Sequence, residues 1–298
     1  MLSTAHKVAI ARGISAVLLG LGLNPVQRVR RSGIELELDL REGIDLSLFL
    51  FGVFQGHVLK LMRQWVPADG VILDVGANIG AMTLPMAQHV ARGRVLAVEP
   101  TDFAQAKLRA NLALNPQLAA RVSVFQMFLA DRPGAESSLT AYSRWPVGAA
   151  SAESHPVHKG VAMPTRGGQT TLDELVARER LQTLSLVKID TDGHEFTVLS
   201  GAATSLEKFR PVVVFEASEY LMRPPKAVFE DFEKLFAQQR YRICHPGSMA
   251  ALTATQFRQL CPQGGSLDLV ALPLERLPAR QRPCRKRRRG RKIISIPK

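Results

Sequence analysis

Apolar and polar positions alternate over Ile34–Leu40, IELELDL, which predicts a half-exposed strand. An apolar stretch, Leu46–Phe54, and a segment with helical spacing, Val58–Trp65, follow it. Pro67 and the Asp69-Gly70 pair then punctuate the chain. Beyond them, short apolar runs and helical segments take turns. Val71–Val75 precedes a helix at about Met82–Val90, Val95–Glu99 precedes Phe103–Leu114, and Val122–Phe128 comes third. Leu186–Asp190 precedes a helix over Phe196–Leu206, and Val212–Ala217 precedes one over Ala227–Gln238. Tyr241–His245 and Leu267–Leu272 close the series. Continuous apolar strands alternating with helices predict an α/β fold, a doubly wound and mostly parallel sheet covered on both faces. The closing pair is expected to form an antiparallel edge.

The pattern lapses between Pro133 and Gly168, which hold Trp145, His155 and His158 among Gly, Pro and Ser. A long irregular segment inside a compact domain is commonly functional or mobile. Lying between the third and fourth strands, this one is placed either to cover a crevice or to form a plain solvent loop. The expected organisation is an N-terminal extension over 1–66, a main domain over 67–275 with an insertion at 133–168, and a tail over 276–298.

Composition changes this picture in one respect. The chain of 298 residues carries a formal charge of +13, but Arg280–Lys298 alone holds ten basic residues and no acid. The rest has 29 basic and 26 acidic residues, so the body is close to neutral and the basicity is a tail. Hydrophobic residues at 46% suffice for a sizeable core. Three cysteines without C-x-x-C spacing argue against a disulfide framework and a structural zinc site, and point to a reducing, cytoplasmic compartment. No transmembrane span is expected. Val8–Leu23 falls short of the ~18 apolar residues required and is interrupted by Arg12. A buried or amphipathic helix is the reading there, with a secretory signal the weaker alternative. Lys7, Arg12, Arg28, Arg30 and Arg31 around it leave peripheral membrane contact open.

Candidate chemistry concentrates first at Val71–Gly80, VILDVGANIG. A strand ends in Asp74, a Gly76-Ala-Asn78-Ile-Gly80 turn follows, and a helix begins. Nineteen residues past Gly80 a second strand ends in another acid, Glu99. That pairing describes a nucleoside crevice at the carboxyl ends of parallel strands. The dinucleotide fingerprint is G-x-G-x-x-G, and Asn78 stands where it asks for a glycine. A pyrophosphate needs a nest of N–H groups at a helix N-terminus. S-adenosylmethionine has no phosphate, so its glycines serve to let the backbone approach the methionyl part. Asp74 is then expected to receive the ammonium, directly or through water, and Glu99 both ribose hydroxyls. Gly76, Asn78, Gly80, Pro100 and Met127 are taken as further cofactor contacts. Asp131, after the third strand, is placed to meet the adenine amino group. The plainer alternative is a strand-turn-helix with a capping Asn.

A second cluster of acids lies in Leu186–Ala202, LVKIDTDGHEFTVLSGA. Asp192 and Glu195 have the spacing of a capping box at the start of the following helix. Asp190 ends the fourth strand and faces the same crevice as Asp74. A hydroxyl acceptor is a poor nucleophile, so a general base is expected, with Asp190 and His194 as candidates and Glu195 third. Asp190, Asp192, His194 and Glu216 would suit a hard cation if they converged, but no spacing shows that they do, and no metal is assigned.

Taken together, VILDVGANIG, the Glu99-Pro100 pair, Asn111, Asn115, TLDEL at Thr171–Leu175, VKIDTDGHE and VLSGA resemble the FkbM family of S-adenosylmethionine-dependent methyltransferases. The resemblance covers Pro67–Glu216. It implies a seven-stranded class I methyltransferase sheet, Rossmann-like, in the order 3-2-1-4-5-7-6. It also implies O-methylation of a sugar, glycan, polyketide or related metabolite. One departure is Asp192, where the family commonly has Glu.

The tail lies outside the resemblance. Arg280–Lys292, RQRPCRKRRRGRK, has no interleaved aromatics and suits a disordered, solvated segment able to contact a polyanion such as RNA or anionic lipid. Two alternatives follow: an RNA methyltransferase anchored by the tail, and a non-catalytic polyanion-binding protein on a methyltransferase fold. An anionic glycan or a lipid-linked acceptor would also account for the tail.

Overall fold

A computed structural model describes residues 4–134, 140–147, 160–165, 167–221, 227–261 and 264–277, with side chains from residue 9 onward. The tail from 278, His155 and His158 lie outside the described residues.

The main sheet has seven strands: β1 (Val71–Val75), β2 (Arg94–Val98), β3 (Val122–Phe125), β4 (Leu186–Ile189), β5 (Val212–Ala217), β6 (Tyr241–Cys244) and β7 (Leu267–Pro273). Their spatial order is β3-β2-β1-β4-β5-β7-β6, as expected. The first five run parallel, while β7 pairs antiparallel with both β5 and β6. β1 and β4 are neighbours in register, which sets Asp74 directly beside Lys188. The order reverses between them, and loops after β1 and β4 diverge to opposite faces. A crevice opens there at the strands' carboxyl ends.

Both faces of the sheet are buried, which is why the central strands read as unbroken apolar runs. On one face Leu73, Val75, Val187, Ile189, Val213 and Phe215 pack under Phe229, Phe232 and Phe236. The Phe215 and Phe232 rings stack with centroids 5.4 Å apart. On the other face Ile72, Leu186, Val212 and Val214 meet Val58, Met62, Met82 and Met86.

Three helices precede the sheet: α1 (Thr4–Gly20), α2 (Gly43–Phe51) and α3 (Gly56–Trp65). Between α1 and α2 lies an antiparallel hairpin, Val26–Arg31 with Ile34–Asp39. Its first strand, VQRVRR, was not expected from the sequence. Its alternate residues Val26, Arg28 and Arg30 are exposed, so it lacks a continuous apolar signal. The Asn111 side chain accepts the Glu37 N–H at 2.8 Å, and Asn115 accepts that of Glu35 at 2.9 Å. These bonds stitch the hairpin to the helix Asp102–Ala113.

Two expected elements are interrupted. The helix over Phe196–Leu206 is two helices, Glu195–Ser200 and Ala203–Phe209. At the break, Gly201 passes so close to Ala130 that an added Cβ would lie 2.1 Å from its carbonyl oxygen. The second helix starts on N–H groups of Thr204 and Ser205, which donate to the Asp173 carboxylate at 2.9 and 2.7 Å. The third strand leaves the main sheet after Phe125. Phe128–Leu129 pairs instead with Gln169–Thr170.

The described part of the insertion folds over the crevice. Tyr142–Arg144 pairs antiparallel with Val161–Ala162. Buried Glu42, just before α2, anchors it: one carboxylate oxygen accepts from Arg144 Nε at 2.9 Å, the other from the Trp145 N–H at 3.0 Å. No single helix among the described residues is long and apolar enough to cross a membrane.

Candidate active site

A cavity of about 630 Å³ opens at the carboxyl ends of β1, β2 and β4. That is within the usual range for a small-molecule site, roughly 300–1,000 Å³. The turn after β1, the ends of β2 and β3, the loop after β4, the insertion, α1 and α2 all contribute to its wall.

Gly76 and Asn78 shape the turn. Gly76 has φ +77°, and a Cβ there would lie 1.8 Å from the Asp190 carbonyl oxygen. Only glycine permits that conformation and that approach of two strand ends. The N–H groups of Gly76 and Ala77 donate to Val98 O at 3.0 and 3.1 Å, tying the turn to β2. Asn78 is itself left-handed at φ +48°, a conformation Asn tolerates better than most residues. Gly80 packs against Leu108 and Leu84 under the turn rather than facing the cavity.

Glu99 lines the cavity. One oxygen accepts the Asn78 N–H at 3.0 Å. The other accepts the Thr101 N–H at 3.0 Å and the Thr101 hydroxyl at 2.6 Å. Burial raises the Glu99 carboxyl above the ordinary carboxylate range. Pro100 and Met127 line the cavity beside it. Asp131 is exposed and outside the lining, a correction of its expected contact with the adenine. The chain turns away after the short Phe128–Leu129 strand, carrying Asp131 to the surface.

For Asp74 the structure corrects the direct form of the expected contact. The residue is fully buried and does not line the cavity, so no ammonium reaches it directly. One oxygen accepts the Thr83 hydroxyl at 2.6 Å. The other lies 3.3 Å from Lys188 Nζ, as an ion pair rather than an aligned hydrogen bond. Lys188 is buried in the middle of β4. It donates to Gly76 O at 3.0 Å and lies 3.4 Å from Asp190 Oδ2. Burial opposes its charge, but Asp74 and Asp190 together hold its pKa above the usual lysine value. Sequence reasoning missed this residue. A lone lysine inside the apolar run LVKI was the available signal, because a strand interior tolerates such a charge only when it is paired.

Asp190, Asp192, His194 and Glu216 all line the cavity. Asp190 accepts from Gln55 Nε2 at 2.9 Å, and Gln55 also lines the cavity. A ring nitrogen of His194 meets the Thr140 carbonyl at 2.9 Å. Asp192 is not the helix cap that its spacing suggested. It has φ +53°, and the cap position belongs to His194. Burial, then the charges of Asp190, Glu195 and Glu99, hold the Asp192 carboxyl well above its ordinary range. Glu216 is raised in the same way, by burial and then by Asp190 and Asp192. It accepts from the Ser266 hydroxyl.

Glu195, the third candidate base, is buried and outside the lining. It braces the loop instead. It accepts from the Thr191 N–H at 2.9 Å, the Thr191 hydroxyl at 3.0 Å and the Gly193 N–H at 3.1 Å. A carboxylate with that many donors holds a turn in shape. Among the described residues no group of His, Cys, Asp and Glu is arranged to hold a metal ion.

Comparison with known proteins bears on this geometry. The chain is 28% identical over 206 residues to the methyltransferase sdnD of Sordaria araneosa, covering 60% of this chain and 78% of that protein. It is 27% identical over 157 residues to the hexuronic acid methyltransferase AglP of Haloferax volcanii, covering 53% of this chain and 60% of that one. A 96-residue segment is 36% identical to the antimetabolite synthetase AmbE of Pseudomonas aeruginosa, 32% of this chain but only 4% of that protein. Among solved structures, methyltransferase FkbM of Methylobacillus flagellatus aligns over 68% of this chain and 44% of its own, at 15% identity and a TM-score of 0.43. The family model described as the methyltransferase FkbM domain matches residues 74–243, from Asp74 through the whole acidic loop to β6. The chain belongs to the FkbM methyltransferase family.

Proposed function

We propose that the chain transfers the methyl group of S-adenosylmethionine to a hydroxyl oxygen of a sugar, glycan or secondary metabolite. The observation that carries this reading is the juxtaposition, in one cavity, of a phosphate-free glycine turn, a ribose-type acid at the end of β2, and a group of carboxyls after β4. The residues present fit the cofactor. Gly76 leaves the backbone bare where the methionyl part would lie. Glu99 Oε2 has a single donor, the Asn78 N–H, and keeps acceptor capacity for a ribose diol. Gln55 Oε1 is buried without a partner, next to Asp190. Those two residues, rather than Asp74, suit an ammonium. Met127 and Phe128 offer apolar wall to the adenine.

When bound, S-adenosylmethionine supplies an electrophilic methyl carbon on a sulfonium. The chain's part is to align an acceptor hydroxyl with it and to take the proton. Asp192 is the base in this reading. It sits on the cavity wall, and burial with the neighbouring carboxylates raises its pKa above the ordinary range, which makes it a stronger proton acceptor than a solvent-exposed carboxylate. Asp190 is fixed by Lys188 and Gln55, and His194 by Thr140, so these two sequence candidates flank the base and orient the acceptor.

Glu99→Gln is expected to weaken S-adenosylmethionine binding by about 10- to 100-fold, the loss of one charge-assisted pair of bonds. Calorimetric titration reads it directly, and equal affinity in the variant and the parent chain would remove the cofactor reading. Incubation with methyl-labelled cofactor and a panel of hexuronic acids, neutral sugars and hydroxylated metabolites tests the acceptor class. Label recovered only as a methyl ester or methylamine would exclude O-methylation of a hydroxyl.

A further inference from the structure

The cavity is unequal in character. Its cofactor half carries the polar side chains Asn78, Glu99, Lys188, Asp190 and Asp192 among apolar ones, whereas the half bounded by α1, α2 and the turn after α2 is built mainly from Ile10, Ile14, Leu46, Leu50, Phe51 and Phe54. Several of these residues also face outward. Ile10 is 51% and Phe51 73% exposed, although both belong to the cavity wall. From Ile10 the apolar surface continues along α1. Ile10, Val17 and, one residue past the helix, Leu21 follow helical spacing on one face, and Val17 and Leu21 are 61% and 74% exposed. The adjoining side of α1 is accounted for, since Ala11, Ile14 and Leu18, with Leu23 just past the helix, pack against Leu40, Leu46 and Val147. Large side chains exposed around the mouth of a site form an interaction surface rather than scattered surface residues.

Charge selects the partner. Residues 1–34 contain five basic residues and no acid. Arg31 is held at the rim itself: its guanidinium donates to Phe49 O at 2.7 Å and lies 5.8 Å from the Phe49 ring, beside Gly52. Arg28 is paired with Glu37 at 3.2 Å and Arg30 stands opposite Glu35 in the hairpin, which leaves Arg12 on the acid-free helix α1 and Arg31 at the rim as the cations of the lip. An apolar lip bearing these two arginines is complementary to the interface of an anionic bilayer, where apolar side chains enter the acyl boundary and arginines meet head groups.

We infer that α1 and the end of α2 seat the chain on an anionic membrane surface with the cavity mouth facing the lipid, so that the methyl acceptor is a hydroxyl carried on a lipid anchor. The acceptor part of this inference rests on the methyltransferase reading above. The membrane part stands on the α1–α2 surface alone.

The test is co-sedimentation of the full chain with vesicles of phosphatidylcholine alone and of phosphatidylcholine mixed with phosphatidylglycerol. The double variant V17S/L21S is run in parallel; neither residue lines the cavity. Binding is expected to the mixed vesicles, and the variant is expected to lose about tenfold or more in vesicle affinity. Its S-adenosylmethionine affinity and melting temperature are expected to match those of the parent chain. Failure to bind the mixed vesicles, or binding that V17S/L21S leaves unchanged, would overturn the inference. So would a dimer in solution that the variant converts to a monomer, because the face would then be a contact between copies. Calorimetry with the cofactor in the absence of lipid tests the methyltransferase reading separately. A chain that binds vesicles but no cofactor would sink that reading and leave the membrane surface standing.

Discussion

Lys188→Met is expected to cost about 3–5 kcal/mol of folding stability, the penalty for leaving a buried charge without its partner. The substitution keeps the side chain's length and volume and removes its cation. Asp74, fully buried, would keep only the Thr83 hydroxyl, and the Gly76 carbonyl would lose its donor. Denaturant unfolding measures the loss. The companion double variant K188M/D74N separates the ion pair from mere packing. Removing both charges returns much of the stability if the cost comes from an orphaned carboxylate, since a buried pair is roughly neutral against apolar or uncharged replacements. A single variant within about 1 kcal/mol of the parent chain, or a double variant no better than the single, would show that the pair does not hold the crevice together. By the same reasoning Asp74→Ala is a folding defect before it is a binding defect.

Asp192→Asn is expected to lower turnover by about 100-fold or more while raising the melting temperature at alkaline pH. The two effects have one cause. Asp192 sits among Asp190, Glu195 and Glu99, and burial adds to their repulsion, so its carboxyl is held above its ordinary range. A carboxyl raised in the folded state binds its proton more tightly there than in the unfolded chain. Its contribution to stability is therefore complete below the ordinary carboxylate range and is lost as pH rises through the raised value. Asn removes that loss and leaves the left-handed backbone at φ +53° acceptable. Thermal unfolding of both chains at about pH 5 and about pH 8 checks the sign, with the variant gaining on the parent at the higher pH. Turnover of the parent chain is expected to climb with pH through the same raised value, and that limb should disappear in the variant. His194→Asn should retain it. A pH limb that follows His194 rather than Asp192 would transfer the base to the histidine.

The fold and the position of the cavity were readable in the sequence for a common reason: both depend on short-range pattern. A parallel strand buried on both faces must be apolar along its length, so Val71–Val75, Val95–Val98 and Val212–Ala217 announce themselves. Acids at strand ends and a glycine turn mark a crevice because only glycine tolerates the backbone approach seen at Gly76. The FkbM resemblance, resting on those motifs, supplied the strand order that the structure shows.

The roles of individual carboxylates followed a different logic. Asp74 and Glu99 look equivalent in sequence, yet one lies sealed against Lys188 and the other lines the cavity. Asp192 and Glu195 have capping spacing, yet Glu195 ties the loop while Asp192 faces the cavity. Register across β1 and β4 decides the first of these assignments, and it is not a property of nearby residues in the chain. By itself the sequence determined which strands exist, where the crevice opens and which acids stand near it, since hydrophobic period and backbone sterics act locally. Which carboxylate is paired, which braces and which lines the cavity was decided only by tertiary structure, because desolvation and charge pairing depend on what the rest of the chain places within a few ångströms.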